Sequence, residues 1–234
     1  MGTPTIDVMV PSLWRPERLP GVAANIHEAT ASDHVVTFIA EHDDEPTIAA
    51  AKQLEDTDPG VRLVVNDRSR NYAGAINTAV ATSQAEWWFA GADDLRFHHD
   101  WDAVALAEVA LGDDGHPTQP VIGTNDLFNP YVRQGEHATH YLVHRSYIEA
   151  LGGTPDQGPG VALNEGYDHQ YTDTEFIGVA AARGMFRPCL GSVVEHLHFG
   201  RGMAPMDDTY RWGQKHVKAD EAMFNRRRQL WEAP

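Results

Sequence analysis

Short apolar runs that alternate with stretches of helical period constrain this chain most. "IDVMV" (Ile6 to Val10), "VVTFIA" (Val35 to Ala40), "VRLVV" (Val61 to Val65) and "EWWFA" (Glu86 to Ala90) read as four strands. Between them Arg18 to Ala29, Pro46 to Leu54 and Tyr72 to Ser83 read as helices, each long enough for a right-handed crossover between parallel strands. The expected class is therefore α/β, with a mixed, mainly parallel sheet flanked by helices. In such sheets ligands collect beyond the carboxyl ends of the strands. The residues that matter should then follow each apolar run: Pro11 and Ser12, Glu41 to Asp44, Asn66 to Asn71, and Ala92 to Asp94.

The second half is less regular. A strand is expected near Val121, another at Thr139 to His144, and a Gly/Pro-rich segment from Leu151 to Gly160 has the composition of a flexible cover. A helix is expected from Asp173 to Arg183, stopped by Gly184, and "SVVEHLHF" reads as a strand with His196 and His198 on one face. Tyr210, Val217, Phe224 and Trp231 recur every seven residues, an apolar stripe by which a terminal helix would dock. The lone Cys189 reads as a buried, inert thiol. Of the tryptophans, Trp14, in the turn after the first strand, is the best candidate for a ligand wall. Of Trp87 and Trp88, one is expected in the core and the other on either layer.

Charge narrows the function. Thirty-four acidic residues against 18 basic ones give −16, which disfavours broad binding to duplex DNA and means that an anionic substrate needs a local cation or a metal. No apolar run approaches the ~20 residues of a membrane span, and the opening residues lack the pattern of a signal peptide, so a cytoplasmic protein without stable membrane association is expected.

The strongest chemical signal is "WWFAGADDLRFHHDW". Adjacent carboxylates at the end of an apolar strand repel each other unless a cation or ligand joins them, so Asp93 and Asp94 point to a metal or ligand site. An acidic surface turn is the alternative.

Here the chain resembles the family 2 glycosyltransferases of the GT-A fold, especially short forms from bacteria and bacteriophages. The resemblance rests on "VMVPSLWRPERL", "RNYAGAINTAV", "GADDLRFHHDW" as a variant of the Asp-x-Asp motif, "LGGTPD", "YTDTEFIGVAAARG" and "SVVEHLHF", in that order. It implies a GT-A catalytic domain over residues 1–200, with a nucleotide-binding half (1–95) and an acceptor half (96–200), and a C-terminal helical segment (201–234) packed on it. It further implies a metal-dependent transfer from a nucleotide-diphosphate sugar, a UDP-sugar by family frequency, to an acceptor hydroxyl.

Residue by residue, the resemblance makes Asp94 a ligand of Mn2+ or Mg2+ and sets Asp93 near the donor ribose or the metal's waters. His196 is the preferred imidazole ligand and His198 the second candidate; an imidazole in the shell favours Mn2+. Ala92 departs from the full motif and leaves fewer protein ligands. Asp173 matches the acid that takes the acceptor proton in an inverting transfer, and Glu175 the acid two residues later; Asp173 also suits a helix cap. Asp168 and Glu165 stand in reserve. The run after the second strand matches the carboxylate that accepts the base's ring N–H, Glu41 first and Asp43 second. Pro11 and Ser12 form the first turn, Arg15 or Arg18 reaches phosphate or faces solvent, and Arg70 and Asn71 frame the third helix, where Gly74 permits close approach. His98, His99, His137 and His140 are expected to be exposed. Apart from the resemblance, the basic residues of the C-terminal segment read as a solvated helix face or as a lid whose Arg201 or Lys215 would neutralise the leaving diphosphate. The acceptor is left open among a saccharide, a protein side chain, a lipid carrier and a modified nucleobase.

Two alternatives are weighed. Nucleotidyl transfer to a sugar phosphate calls for a Gly-rich basic loop after the first strand, whereas "PSLWRPERL" has no glycine before Gly21. A sugar- or nucleotide-binding module that lost catalysis is supported by Ala92 alone.

Overall fold

The computed structural model describes residues 5–232. The first four and last two residues, counted above in the catalytic and C-terminal segments, lie outside it. Eight strands form one sheet: β1 (Ile6–Ser12), β2 (His34–Glu41), β3 (Val61–Asn66), β4 (Trp87–Ala90), β5 (Leu95–Phe97), β6 (Val121–Asn125), β7 (Tyr141–His144) and β8 (Phe186–His196). Their order is β3-β2-β1-β4-β7-β6-β8-β5. Neighbours from β3 through β4 run parallel, as do β6 and β8, whereas β7 is antiparallel to β4 and β6, and β5 to β8. The mixed, mainly parallel sheet is thus as expected. β5 has no counterpart in the sequence reading, because three residues are too few to show a period. β8 begins six residues before Ser192, in a stretch whose glycine and proline mask the strand.

The helices are α1 (Leu19–Ala29), α2 (Glu45–Thr57), α3 (Tyr72–Thr82), α4 (Trp101–Leu106), α5 (Pro130–Arg133), α6 (Arg145–Ala150), α7 (Thr172–Ala182) and α8 (Asp208–Arg227). Strand side chains alternate between two cores. Val8, Phe38, Trp87 and Phe89 pack with α1, α2 and α4, while Met9, Ile39, Trp88 and Ala90 pack with α3, α6 and α7. Trp87 and Trp88 are therefore both core residues, one in each layer. Cys189 is buried as expected.

Tight approaches hold the loops that flank the sheet's carboxyl ends. A Cβ on Gly74 would lie 2.2 Å from the Ser69 carbonyl oxygen, so only glycine lets α3 start against that turn. Gly152 has φ +71°, and a Cβ there would lie 1.9 Å from the Gly158 carbonyl oxygen. The Leu151 to Gly160 segment is no cover over the sheet's ends: Arg183 donates to the carbonyls of Gly152 and Thr154 and pins it beside α7.

α8 straps the molecule together. Its N-cap Asp207 accepts from Arg15, and Asp220 accepts from the backbone N–H groups of Asp168, His169 and Gln170 at 2.8 to 2.9 Å. Near its end Arg227 donates to both oxygens of Glu175 and to Asp156. Of the apolar stripe only Tyr210 is fully buried; Val217, Phe224 and Trp231 are half-buried. Polar pairs carry much of this docking.

Candidate active site

A cleft of about 580 Å³ opens at the carboxyl ends of β1, β2 and β4, a size typical of small-molecule sites. β1 runs out into Pro11 and Ser12, β2 into Glu41 and β4 into Asp93 and Asp94, and all five residues line the cleft with Arg15, Arg70 and Asn71. Asp173, His196 and His198 line it too. Parallel strands end on one side, which is why residues so far apart in the chain meet there.

The acid pair is divided between two partners. Asp93 accepts from Ser12 Oγ and Arg15 Nη1, both at 2.7 Å. Burial, reinforced by the charge of Asp94, outweighs Arg15 and pushes its carboxyl up to about 6. Asp94 Oδ2 lies 3.2 Å from His196 Nε2 and accepts from the Tyr210 hydroxyl at 2.7 Å. Burial alone would raise the Asp94 carboxyl, but His196 and Tyr210 hold it well below the usual carboxylate range. The same contact raises His196 against its own burial.

A metal here is tested by the donor set. A carboxylate and an imidazole already lie side by side, Asp94 against His196, and a mixed oxygen and nitrogen shell suits Mn2+. Among the described residues no three histidine, cysteine or acidic side chains converge as a complete cage, so a cation would need ligand oxygens and water as well. His198 packs its ring 5.0 Å from that of His196, but its Nδ1 accepts from the Gly200 N–H.

The far wall carries a second pair. Asp173, in the first turn of α7, lies with Oδ2 3.2 Å from His137 Nε2, while its Oδ1 accepts from the Thr174 N–H at 2.8 Å. Burial would raise this carboxyl; His137 and the Thr174 amide bring it below its ordinary value instead. The Asp173 side chain caps no residue of α7 beyond Thr174, and the N-cap position falls to Tyr171.

At the β2 end, Glu41 Oε1 accepts from Asn66 Nδ2 at 2.9 Å, while its buried Oε2 has no partner among the described residues. Burial raises this carboxyl. Asp43 instead is exposed, does not line the cleft, and pairs with Arg70. Asn71 caps α3 through the Gly74 N–H, so its side chain is committed to the fold.

Several expectations are corrected. Glu175 is buried away from the cleft, its carboxylate taken by Arg227 at 2.7 and 2.8 Å and by the Tyr167 hydroxyl at 2.7 Å. Removing Arg227 would strand that carboxylate, so Arg227→Met should cost about 3 to 5 kcal/mol in urea unfolding. His137 and His140 are not exposed, since the adjoining run Tyr141 to His144 is wholly buried and draws them inward. Arg201 is spent on the carbonyls of Asp126, His196 and Leu127, and neither it nor Lys215 lines the cleft. Trp14 does not line the cleft but borders a neighbouring hollow that shares Trp212 with it. Asp168 and Glu165 do not line the cleft either.

Tyr210, Thr209, Trp212, Gln214 and Val217 of α8 line it instead, so the C-terminal segment completes the wall. Sequence periodicity marked Tyr210 as part of a docking stripe, and nothing local signals that its hydroxyl reaches Asp94. Among the described residues no helix is long and apolar enough to cross a membrane.

The parallel pairing of β1 to β4, an acid pair after β4 and an acid at the start of α7 define an α/β protein of the GT-A type. The chain belongs to glycosyl transferase family 2, whose model matches residues 7–154. No curated protein sequence matches it. Among solved structures, a mannosyltransferase from Pyrobaculum calidifontis in complex with GDP-Man and Mn2+ is similar with a TM-score of 0.68 at 17% identity, over 97% of this chain and 65% of the other. This chain thus spans just under two thirds of that enzyme's length. Glucosyl-3-phosphoglycerate synthase from Mycobacterium tuberculosis, in complex with Mn2+ and UDP-Glc, is similar with a TM-score of 0.58 at 12% identity, over 96% of this chain and 79% of the other. At these identities the likeness concerns the fold.

Proposed function

We propose that the protein transfers a sugar from a nucleoside diphosphate donor to an acceptor hydroxyl, with inversion, using Asp173 as the base. The observation that carries this reading is the convergence in one cleft of Asp94 with His196, of Asp173 with His137, and of Glu41 with its free oxygen. Asp94 and His196 would hold a divalent cation, Mn2+ above Mg2+, which when bound supplies positive charge to a leaving diphosphate. Glu41 Oε2 is a buried acceptor in want of a donor, suited to a ring N–H of the base, with Asn66 fixing its orientation. Ser12, Asp93 and Arg15 then border the ribose and diphosphate, Arg15 being the cleft's buried cation. Asp173, ionised, takes the acceptor hydroxyl's proton as its oxygen attacks the anomeric carbon.

A UDP-sugar is the donor proposed. The mannosyltransferase structure holds GDP-Man and the synthase structure UDP-Glc, so the base is decided by experiment. The melting temperature of the protein with UDP, GDP, ADP, CMP or dTDP, each with and without Mn2+, tests it. One nucleotide, UDP, should stabilise by about 2.7 kcal/mol at a hundredfold excess over Kd, roughly 5 to 10 °C for a chain of this size, and only with Mn2+. Glu41→Gln should lower that shift and blunt the preference among bases. A panel without any metal-dependent shift would overturn the reading.

A further inference from the structure

His140 stands immediately before β7 with its carbonyl oxygen held by the N–H and hydroxyl of Thr124 on β6. Its Nδ1 lies 2.9 Å from the carbonyl oxygen of Ala90, the last residue of β4. A carbonyl only accepts, so Nδ1 carries the ring proton and Nε2 presents a lone pair. That Nε2 is buried and has no hydrogen-bond partner among the described residues, and the residue, only 5% exposed, lines the cleft. A buried acceptor left empty is costly unless a ligand fills it.

Its position says which ligand. The imidazole lines the same cleft as Asp94 and Asp173, and its ring packs 5.1 Å from that of His196, the partner of Asp94. In a displacement at an anomeric carbon the sugar must sit between the leaving diphosphate and the base, hence between Asp94 and Asp173. A third metal ligand is the competing use, but among the described residues His140 does not close a three-ligand set with Asp94 and His196. We propose that His140 Nε2 accepts a hydrogen bond from one hydroxyl of the transferred sugar, and so selects donors that carry a hydroxyl at that ring position. This assignment rests on the transfer reading above.

Calorimetric titration tests it with Mn2+ present, using UDP and UDP-glucose, and GDP and GDP-mannose, on the wild type, His140→Leu and His140→Gln. For whichever pair the wild type accepts, His140→Leu should keep the Kd of the nucleoside diphosphate within about twofold and weaken the sugar nucleotide by roughly tenfold or more. Intact diphosphate binding reports at the same time that the variant is folded. His140→Gln, whose amide oxygen can accept, should recover part of the loss. The wild type gives a second test that does not depend on any variant's folding: of the derivatives of that sugar nucleotide lacking a single hydroxyl, one should bind about tenfold weaker or worse. An equal loss of diphosphate and sugar nucleotide in His140→Leu would show that the ring acts through the Asp94 centre and overturn the assignment, as would the absence of a penalty at any deoxy position. A wild type that binds no nucleoside diphosphate with Mn2+ would be a different result, overturning the transfer reading itself.

Discussion

Asp94→Asn should reduce sugar transfer by roughly a thousandfold or more, because on the proposed reading it removes the carboxylate that would hold the cation at the diphosphate. The fold should survive. Asparagine keeps an oxygen for the Tyr210 hydroxyl, and the variant protein should melt as a single cooperative unit. What it loses is the charge that draws His196 and would draw a metal. The discriminating measurement is Mn2+-dependent nucleotide binding followed beside turnover. Loss of both is expected; wild-type Mn2+-dependent binding in the variant would remove Asp94 from the metal site. Because the Asp94 carboxyl is held low mainly by His196 and Tyr210 against its burial, the pair also contributes stability. The Asp94 part is present above the ordinary carboxylate pKa and is lost as pH falls through the depressed native value.

Asp173→Asn should lower kcat by about 10² to 10⁴ with the Kd of the nucleoside diphosphate unchanged, the signature of a base that acts after binding. A pH profile adds a sharper test. On the proposed reading ionised Asp173 is the active form, and His137 with the Thr174 amide lowers its pKa, so with donor and Mn2+ saturating the acid limb of kcat that belongs to Asp173 should lie below the ordinary carboxylate value of 3.8. His137→Asn removes the leading counterweight to burial. The limb should then move up, and turnover should be lost at mildly acidic pH where the wild type still works. An unmoved limb would detach His137 from the base. A wild-type kcat in Asp173→Asn would assign the proton to another group, or the transfer to a mechanism that retains configuration.

The two acids differ in how far they depend on distant residues. Asp94 emerges at a strand end that local patterning already marks, yet its partners come from β8 and α8, the Tyr210 contact spanning 116 positions. Asp173 lies in the first turn of α7, where an acid suits the helix, but His137 reaches it from the segment before β7, 36 positions away. Arg15 illustrates the same point. In sequence it is an arginine in a turn; in the folded chain it pairs with Asp93 and with the N-cap of α8, and its ring contact with Tyr210 lies 4.1 Å from the centroid. The turn after β1, α8 and the acid pair are joined through this one side chain.

Local periodicity and residue type were enough to reveal the alternating strands and helices, the cleft at the strand ends, and the acids Glu41, Asp93 and Asp94 that face it, whereas Asp173 was marked by the family resemblance. These features are legible because a strand's alternation and the chemistry that follows it lie within one short window of sequence. The commitments of individual side chains are not. Glu175 occupies a position as acidic and as helical as Asp173, and only the arrival of Arg227 from α8 turns it from the cleft into a buried ion pair. His140 looks like any surface histidine until β4 supplies a carbonyl for one ring nitrogen and leaves the other empty. Burial and hydrogen-bond partnership belong to pairs of residues brought together by the whole fold, so they were decided by tertiary structure.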